Sequence, residues 1–122
     1  MENRQTRRIR LGREGEAAAV RYLAGRGFRI LELGYRRLRG EIDIIALDGD
    51  TLVFVEVKTR TDPEFGPPEE AVTRSKQGQI RRIAEVYLSE RGREPPACRF
   101  DVVAVELEAG GRFVVRHLVD AF

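Results

Sequence analysis

Hydrophobic positions recur at three- and four-residue steps in two stretches of the chain, which is the spacing of amphipathic helices. The first predicted helix covers residues 11–25 and is closed by Arg26-Gly27. The second ends at Gly92, with an interruption expected near Ser75 or Gly78. Its apolar positions are Val72, Ile80, Ile83, Ala84, Tyr87 and Leu88.

Runs rich in β-branched and aromatic residues predict five strands, at residues 28–35, 40–47, 51–58, 100–107 and 112–118. A Pro- and Gly-rich loop is expected at 59–68, and Pro95-Pro96 starts a new segment. The order α-β-β-β-α-β-β predicts an α/β fold with a mixed central sheet flanked by helices. We expect one domain over residues 1–122, with residues 1–8 as a flexible basic tail.

The second and third strands form a predicted hairpin, whose turn decides which side chains face each other. A two-residue turn at Gly49-Asp50, or a four-residue loop over 48–51, sets Asp43 opposite Glu56. A turn centred one residue earlier would set Glu41 against Glu56, and like charges in register repel. The first register is preferred. It gives Asp43, Glu56 and Lys58 one face and leaves apolar pairs on the other, namely Ile42 with Val57, Ile44 with Val55 and Ala46 with Val53.

Positive charge is concentrated in the first third of the chain. Residues 1–40 contain eleven arginines and four glutamates, a balance of +7, whereas the remainder carries −5. Clustered guanidinium groups can form paired hydrogen bonds to phosphate oxygens, which is typical of proteins that bind nucleic acid. Only two of the 22 basic residues are lysines, Lys58 and Lys76. Because a desolvated lysine can lose its proton and an arginine cannot, Lys58 is a candidate for chemistry.

The sequence lacks the residues that several classes of function require. Cys98 and His117 are the single cysteine and the single histidine, which disfavours thiol, haem and zinc chemistry. The chain has no apolar run long enough to span a membrane and no glycine-rich triphosphate motif. We therefore expect a cytoplasmic protein without a membrane partner.

The acids in the hairpin indicate a cation site. Asp43 and Glu56 interrupt otherwise apolar strands, and two facing carboxylates repel unless a cation lies between them. Mg²⁺ or Mn²⁺ prefers such oxygen ligands. Lys58 could orient or deprotonate a water on the metal, or neutralise charge on a phosphate. Glu16 is predicted on the inward face of the first helix and could add a third carboxylate.

A purely structural alternative stays open for the same residues. Glu56 and Lys58 could form an ion pair on an exposed edge strand, and Glu16 a salt bridge with an arginine. Glu41 is expected to pair with Lys58 across the hairpin, and Asp101 to be the structural partner of an arginine. The candidate nucleic-acid contacts are Arg13, Arg60, Lys76 and Gln79, although a solvated helix face also explains the last two.

Five segments together resemble the YraN family of small bacterial proteins: GREGEAA at 12–18, GEIDIIA at 40–46, FVEVKTR at 54–60, FGPPEEAV at 65–72 and Phe100-Asp101. That family is similar to Holliday-junction resolvases and other PD-(D/E)xK nucleases of the restriction-endonuclease-like fold. The resemblance implies Glu16, Asp43 and Glu56 as metal ligands and Lys58 as the catalytic lysine. Ile42 stands where many such nucleases have proline.

The resemblance also implies an activity and partners. We expect a metal-dependent endonuclease that hydrolyses phosphodiester bonds of DNA rather than RNA, with branched DNA favoured, and a homodimer is compatible with it. Two rivals remain on the same fold. One is a non-catalytic nucleic-acid-binding module, and the other is an assembly factor that uses the fold as a scaffold.

Overall fold

The structure, a computed structural model, describes residues 1–92 and 97–122. Within these residues the element order is the predicted α-β-β-β-α-β-β. The helices are α1 (Arg4–Gly25) and α2 (Arg74–Arg91), and the strands are β1 (Arg29–Arg37), β2 (Gly40–Asp48), β3 (Thr51–Arg60), β4 (Ala97–Leu107) and β5 (Phe113–Leu118). Short 3-10 turns at Pro63–Phe65 and Pro68–Ala71 precede α2. The segment predicted to start at Pro95-Pro96 lies outside the described residues.

The strands form one mixed sheet in the order β1-β2-β3-β4-β5. The pairs β1–β2, β2–β3 and β4–β5 are antiparallel, whereas β3 and β4 are parallel. Parallel neighbours need a crossover connection, and α2 lies within it. This topology makes β3 the central strand, so Glu56 and Lys58 are not on an edge, which argues against the alternative of a surface ion pair.

Helix α1 begins at Arg4 rather than Leu11. Asn3 caps it, because its side-chain oxygen accepts a hydrogen bond from the N–H of Thr6 at 2.7 Å. Ion pairs from Arg10 to Glu2, at 2.7 Å, and to Glu14, at 3.0 Å, support the first turns. Residues 4–8 are therefore helical, and the prediction of a tail over 1–8 was wrong for them. Hydrophobic periodicity cannot detect a helical turn that is polar on every side.

Helix α2 runs without interruption through Ser75 and Gly78. The Thr73 hydroxyl accepts a hydrogen bond from the N–H of Lys76 at 3.2 Å and caps its first turn. Gly92 ends the helix with a φ of 72°, a left-handed conformation that glycine adopts without a steric penalty. The interruption predicted near Ser75 or Gly78 was wrong, since the interior of a packed helix tolerates one glycine.

The predicted hairpin register is confirmed. Asp48 pairs with Thr51 across the two-residue turn, and the ladder continues to Ile44 opposite Val55. Strand β3 then extends two residues beyond its predicted end, to Arg60. The regular pairing of β2 with β3 ends at Ile44 and Val55. Asp43 and Glu56 are the next residues along the two strands.

Two apolar clusters lie on opposite faces of the sheet. On one face, Ala19 and Leu23 of α1 pack with Val53, Val55 and Val103. On the other face, the cluster joins α2 to β1, β2 and β3 through Tyr35, Ile42, Leu52, Phe54, Ile80 and Ile83. The sheet therefore has a helix on each face, as a layered α/β fold requires.

Strand β2 changes sides near Asp43. Ile44 and Ala46 belong to the cluster under α1, whereas Ile42 belongs to the cluster under α2. The prediction that these three share one face was therefore wrong. Asp43 lies between Ile42 and Ile44, opposite Gly34 of β1, whose φ of 63° departs from a regular strand. Ile42 and Ile44, on either side of Asp43, therefore face opposite layers.

Candidate active site

Asp43 marks the point where strands β2 and β3 stop forming a regular ladder. Its Oδ2 atom accepts a hydrogen bond from the backbone N–H of Val57 at 2.8 Å. A side-chain carboxylate therefore satisfies a donor that a backbone carbonyl would bind in a continuous ladder. The bond fixes Asp43 beside β3, next to the residue that precedes Val57, which is Glu56.

Glu56 is a buried acid without a complete set of partners. It is 4% exposed, and its Oε2 atom has no hydrogen-bond partner among the described residues. Burial, followed by the charge of Asp43 and a hydrogen bond with it, raises the pKa of Glu56 to about 8, while Lys76 and Lys58 oppose the shift. Two neighbouring acids with one buried, unpartnered oxygen form a site that favours a cation.

Lys58 lies beside this acid, as strand alternation predicts. Its Nζ atom is 3.9 Å from Oε1 of Glu56, and the side chain is 31% exposed, so the amine is reachable from solvent. The predicted ion pair between Lys58 and Glu41 was wrong. Glu41 instead lies 3.5 Å from Nε of Arg36, its register partner in β1.

Glu16 lies at the border of the helix–sheet contact. The buried side of α1 consists of Leu11, Gly15, Ala18, Ala19 and Leu23. At 100° per residue this stripe is centred near Gly15, so Glu16 falls on its edge and is exposed, contrary to the predicted inward orientation. Partial burial, then the charges of Asp43 and Glu41, raise the pKa of Glu16, and Arg13 lowers it. Glu16 is therefore close to Asp43, one of the two strand acids.

The approach of α1 to β3 depends on Gly15. A Cβ atom at Gly15 would lie 2.2 Å from Oγ1 of Thr59 and 3.1 Å from its Cβ. The helix thus crosses the strand at a point where only a glycine fits. Glu16 follows Gly15 in α1, so the crossing brings the helix acid close to β3.

Two of the predicted acids, rather than all three, are placed to bind a divalent cation. In the parts of the chain that the structure describes, no three Asp, Glu, His or Cys side chains are gathered closely enough to hold a metal ion. Asp43 and Glu56 offer carboxylate oxygens, including the unpartnered Oε2, which suit Mg²⁺ or Mn²⁺. Glu16 as a third ligand stays a prediction.

The other predicted contacts lie around the acids. Lys76 and Gln79 of α2 line a cavity of about 500 Å³ beside Gly40. A Cβ atom on Gly40 would meet Nε2 of Gln79 at 2.7 Å, so β2 and α2 are closely packed there. Arg60 borders a separate cavity of about 670 Å³, and its buried Nε atom has no hydrogen-bond partner among the described residues. Arg13 is exposed next to Glu16.

Asp101 has the structural role predicted for it. It is fully buried and accepts hydrogen bonds from Nε and Nη2 of Arg99, at 2.9 and 3.0 Å, and from the N–H of Asp120 at 2.9 Å. Nε2 of His117 lies 2.7 Å from its Oδ2. Burial alone would raise the pKa of Asp101, but the hydrogen bonds from Arg99, Asp120 and His117 outweigh it and lower that pKa.

One surface next to the site carried no sequence signal. Arg36, Arg37 and Arg39 border the cavity that contains Lys76, at the turn between β1 and β2. The charge balance along the sequence shows these arginines only as part of the excess positive charge in residues 1–40. Nothing in the hydrophobic pattern indicates that their turn lies beside α2, because the contact joins segments far apart in the chain.

The five-stranded mixed sheet, its two helices and the order of the elements are consistent with the restriction-endonuclease-like class of α/β folds, the class predicted from the sequence. The chain belongs to the uncharacterised protein family UPF0102, which it matches over residues 15–105. This is the YraN family that the sequence motifs resemble.

Relatives in this family align with nearly the whole chain. The chain is 50% identical to a UPF0102 protein of Symbiobacterium thermophilum over 113 residues, covering 93% of this chain and 96% of the relative. It is 49% identical to one of Chlorobium limicola, covering 92% and 91%, and 52% identical to one of Moorella thermoacetica, covering 83% and 84%. Within the described residues, no helix is both long and apolar enough to cross a membrane.

Proposed function

We propose that this protein is a metal-dependent endonuclease that hydrolyses phosphodiester bonds in DNA. The observation that carries the proposal is the state of Glu56. This acid is buried in the central strand and lies next to Asp43, with Lys58 3.9 Å away. One of its oxygens has no hydrogen-bond partner in the part of the chain that the structure describes. A buried pair of acids without a cation is unfavourable, and functional sites are where such arrangements are retained.

The acids and the lysine would have different roles in phosphodiester hydrolysis. Asp43 and Glu56 would hold a divalent cation, and Glu16 would complete its ligand set from α1. When bound, Mg²⁺ or Mn²⁺ supplies stabilisation for the negative charge that builds up on the phosphate. The amine of Lys58, 3.9 Å from Oε1 of Glu56 and reachable from solvent, can neutralise charge on a phosphate oxygen.

A cleavage assay with matched variants tests the proposal. Junction, duplex and single-stranded DNA are incubated with the protein in Mg²⁺ and in Mn²⁺, beside the Asp43→Asn and Lys58→Ala variants. The control is Asp50→Asn, an exposed turn acid at the opposite end of β2 and β3. We expect cleavage by the unaltered protein and by the control, and at least a 100-fold loss in both site variants. Cleavage that persists in both would rule out this mechanism.

The second candidate is a non-catalytic nucleic-acid-binding module, and one observation favours it. The three carboxylates are not gathered into a ligating group among the described residues. A binding module would need the arginine-rich surface but not the acids. It predicts that Glu56→Gln binds DNA as tightly as the unaltered protein and that neither protein shows a Mn²⁺-dependent shift in melting temperature.

A further inference from the structure

The turn between β1 and β2 carries an unusual concentration of positive charge beside the acid site. Residues 36–39 read Arg-Arg-Leu-Arg, and we call them the arginine turn. Together with Lys76 and Gln79 of α2 and with Glu41, its three arginines line a cavity of about 500 Å³. Four basic side chains against one acid make this cavity strongly positive, which suits an anionic backbone.

The cavity adjoins the acids of the candidate site. Glu41, on its wall, is two residues before Asp43 on β2, and residues two apart on a strand are about 7 Å apart. The charge of Lys76, also on its wall, acts on Glu56. A group bound in this cavity would therefore lie next to the acid pair. Gln79 packs against Gly40 at the start of β2, so helix and turn form one continuous surface.

The arginines of the turn are not equally available. Arg37 is engaged within the fold, since its Nε atom lies 3.1 Å from Oε2 of Glu90 and its guanidinium stacks on Tyr35. Arg36 is 82% exposed, with a long contact of 3.5 Å to Glu41. Arg39 is exposed and has no ion pair among the described residues. Two cations are thus available for an external anion.

The backbone of the turn is strained. Leu38 and Arg39 have φ values of 53° and 59°, the left-handed region, which side chains other than glycine, asparagine and aspartate seldom adopt. Two-residue hairpin turns of this kind favour Asn-Gly. Here a leucine occupies the first position, and its side chain is 59% exposed at the tip. Strained backbone clusters at functional sites, so the tip of this turn is a candidate contact.

We propose that the arginine turn anchors the nucleic-acid substrate beside the acid site. Arg36 and Arg39, with Lys76, contact successive backbone phosphates, and Leu38 packs against a base that is open to the groove or displaced from the stack. Apolar tips flanked by arginines act in this way on distorted nucleic acid. The inference rests on the proposed function for the identity of the ligand, but its test does not require cleavage.

Binding is measured by fluorescence anisotropy of a labelled DNA junction in EDTA, over a series of salt concentrations. The double variant Arg36→Gln/Arg39→Gln is compared with Arg21→Gln/Arg29→Gln, which removes the same charge from exposed positions on α1 and at the opposite end of β1. We expect the first pair to weaken binding at least tenfold and to lower the salt slope by about 2. The second pair should leave both almost unchanged. Equal effects of the two pairs, or no effect of the first, would overturn the assignment.

The variant Leu38→Asn distinguishes an effect on DNA binding from an effect on stability. Asparagine tolerates the left-handed conformation better than leucine, so this variant should melt at a higher temperature. We nevertheless expect it to bind several-fold more weakly, with an unchanged salt slope. A variant that is more stable and binds as tightly as the unaltered protein would exclude Leu38 as a contact.

The two proposals fail in different ways. If the unaltered protein binds DNA through the arginine turn but never cleaves it in Mn²⁺, the endonuclease proposal fails and the anchoring role stands. If the protein cleaves DNA while the arginine-turn variants bind and cleave normally, the anchoring role fails and the endonuclease proposal stands.

Discussion

Glu56 is destabilising on its own, because the fold buries its carboxyl group next to Asp43 and leaves Oε2 without a hydrogen-bond partner from residues 1–92 and 97–122. Replacing it by glutamine removes the acid whose pKa the fold raises from 4.5 to about 8, and it keeps the shape. In EDTA at pH 7, we expect Glu56→Gln to raise the free energy of unfolding by about 3 kcal/mol, because the fold holds this acid protonated about 2.5 units above its ordinary pKa and each unit corresponds to about 1.4 kcal/mol.

The cation response of the same variant supplies the complementary measurement. Mn²⁺ should raise the melting temperature of the unaltered protein and leave that of Glu56→Gln unchanged. The control is Glu85→Gln, an exposed position on α2, which should respond to Mn²⁺ as the unaltered protein does. A Mn²⁺ shift in Glu56→Gln as large as in the unaltered protein would exclude Glu56 as a ligand.

Asp101 makes the opposite contribution, because its partners stabilise the charged form. Asp101→Asn leaves Arg99 without its buried partner and should cost roughly 3 kcal/mol near neutral pH, measured by urea unfolding. The pKa of Asp101 lies below its ordinary value of 3.8, so this stabilisation is present above pH 3.8 and is lost as the pH falls through the folded-state pKa. The difference between the two proteins should therefore shrink only in that acid range. A difference that is constant with pH would contradict the ion-pair account.

Single residues could be predicted from the sequence where strand alternation was sufficient. Asp43, Glu56 and Lys58 come together because the two-residue turn fixes the hairpin register. The same alternation failed for Ile42, since β2 changes sides at Asp43, and helical periodicity misplaced Glu16 by about one position around α1. The first error lies where β2 departs from regular geometry beside Asp43, whereas α1 is a regular helix at Glu16 and only the centre of its buried face was misjudged.

At the scale of elements, the crossing of α1 over β3 determines how closely the helix acid approaches the strand. Gly15→Ala would place a methyl group 2.2 Å from Oγ1 of Thr59, so we expect a loss of about 1–3 kcal/mol in the free energy of unfolding, measured by urea denaturation. Gly12→Ala is the matched control. It meets nothing within 4 Å and should stabilise the helix by about 1 kcal/mol.

A second substitution identifies the contact responsible. Thr59→Ala removes the atoms that lie nearest to the new methyl group, so the double variant Gly15→Ala/Thr59→Ala should recover part of the lost stability. If the two changes add without coupling, the helix does not depend on this crossing for its position.

The elements themselves were largely predictable, because periodicity and turn residues report on local structure. The positions where the helices and strands begin and end were less predictable. The start of α1 is polar on all sides and depends on the Asn3 cap, and the extension of β3 to Arg60 follows from its pairing with β4 rather than from its own residues. Pairing between segments distant in the chain leaves no local pattern.

At the scale of the whole molecule, the topology collects basic groups at one end of the sheet. The arginine turn, the start of β2 and the end of β3 meet there, so Arg60 lies at the same end of the sheet as Arg36 and Arg39. The sequence predicted the charge imbalance but not this convergence, which depends on how the strands are ordered.

The convergence predicts a strong dependence of nucleic-acid binding on salt. Four phosphate contacts, from Arg36, Arg39, Arg60 and Lys76, correspond to about a 100-fold loss of affinity for a fourfold rise in salt concentration. Anisotropy titrations from 50 to 200 mM KCl measure this directly. Affinity that is insensitive to salt would favour a role as a protein assembly factor instead.

The hydrogen bond from Val57 to Asp43 gives this molecule a built-in spectroscopic reporter. An amide bound to a carboxylate has a distinctive proton resonance and exchanges with solvent only when that bond opens. The Val57 signal in a two-dimensional nitrogen–proton spectrum should therefore move when diamagnetic Mg²⁺ draws on the Asp43 oxygens, and it should broaden when paramagnetic Mn²⁺ takes the same place. The occupancy of the acid site could thus be followed atom by atom before any substrate has been found.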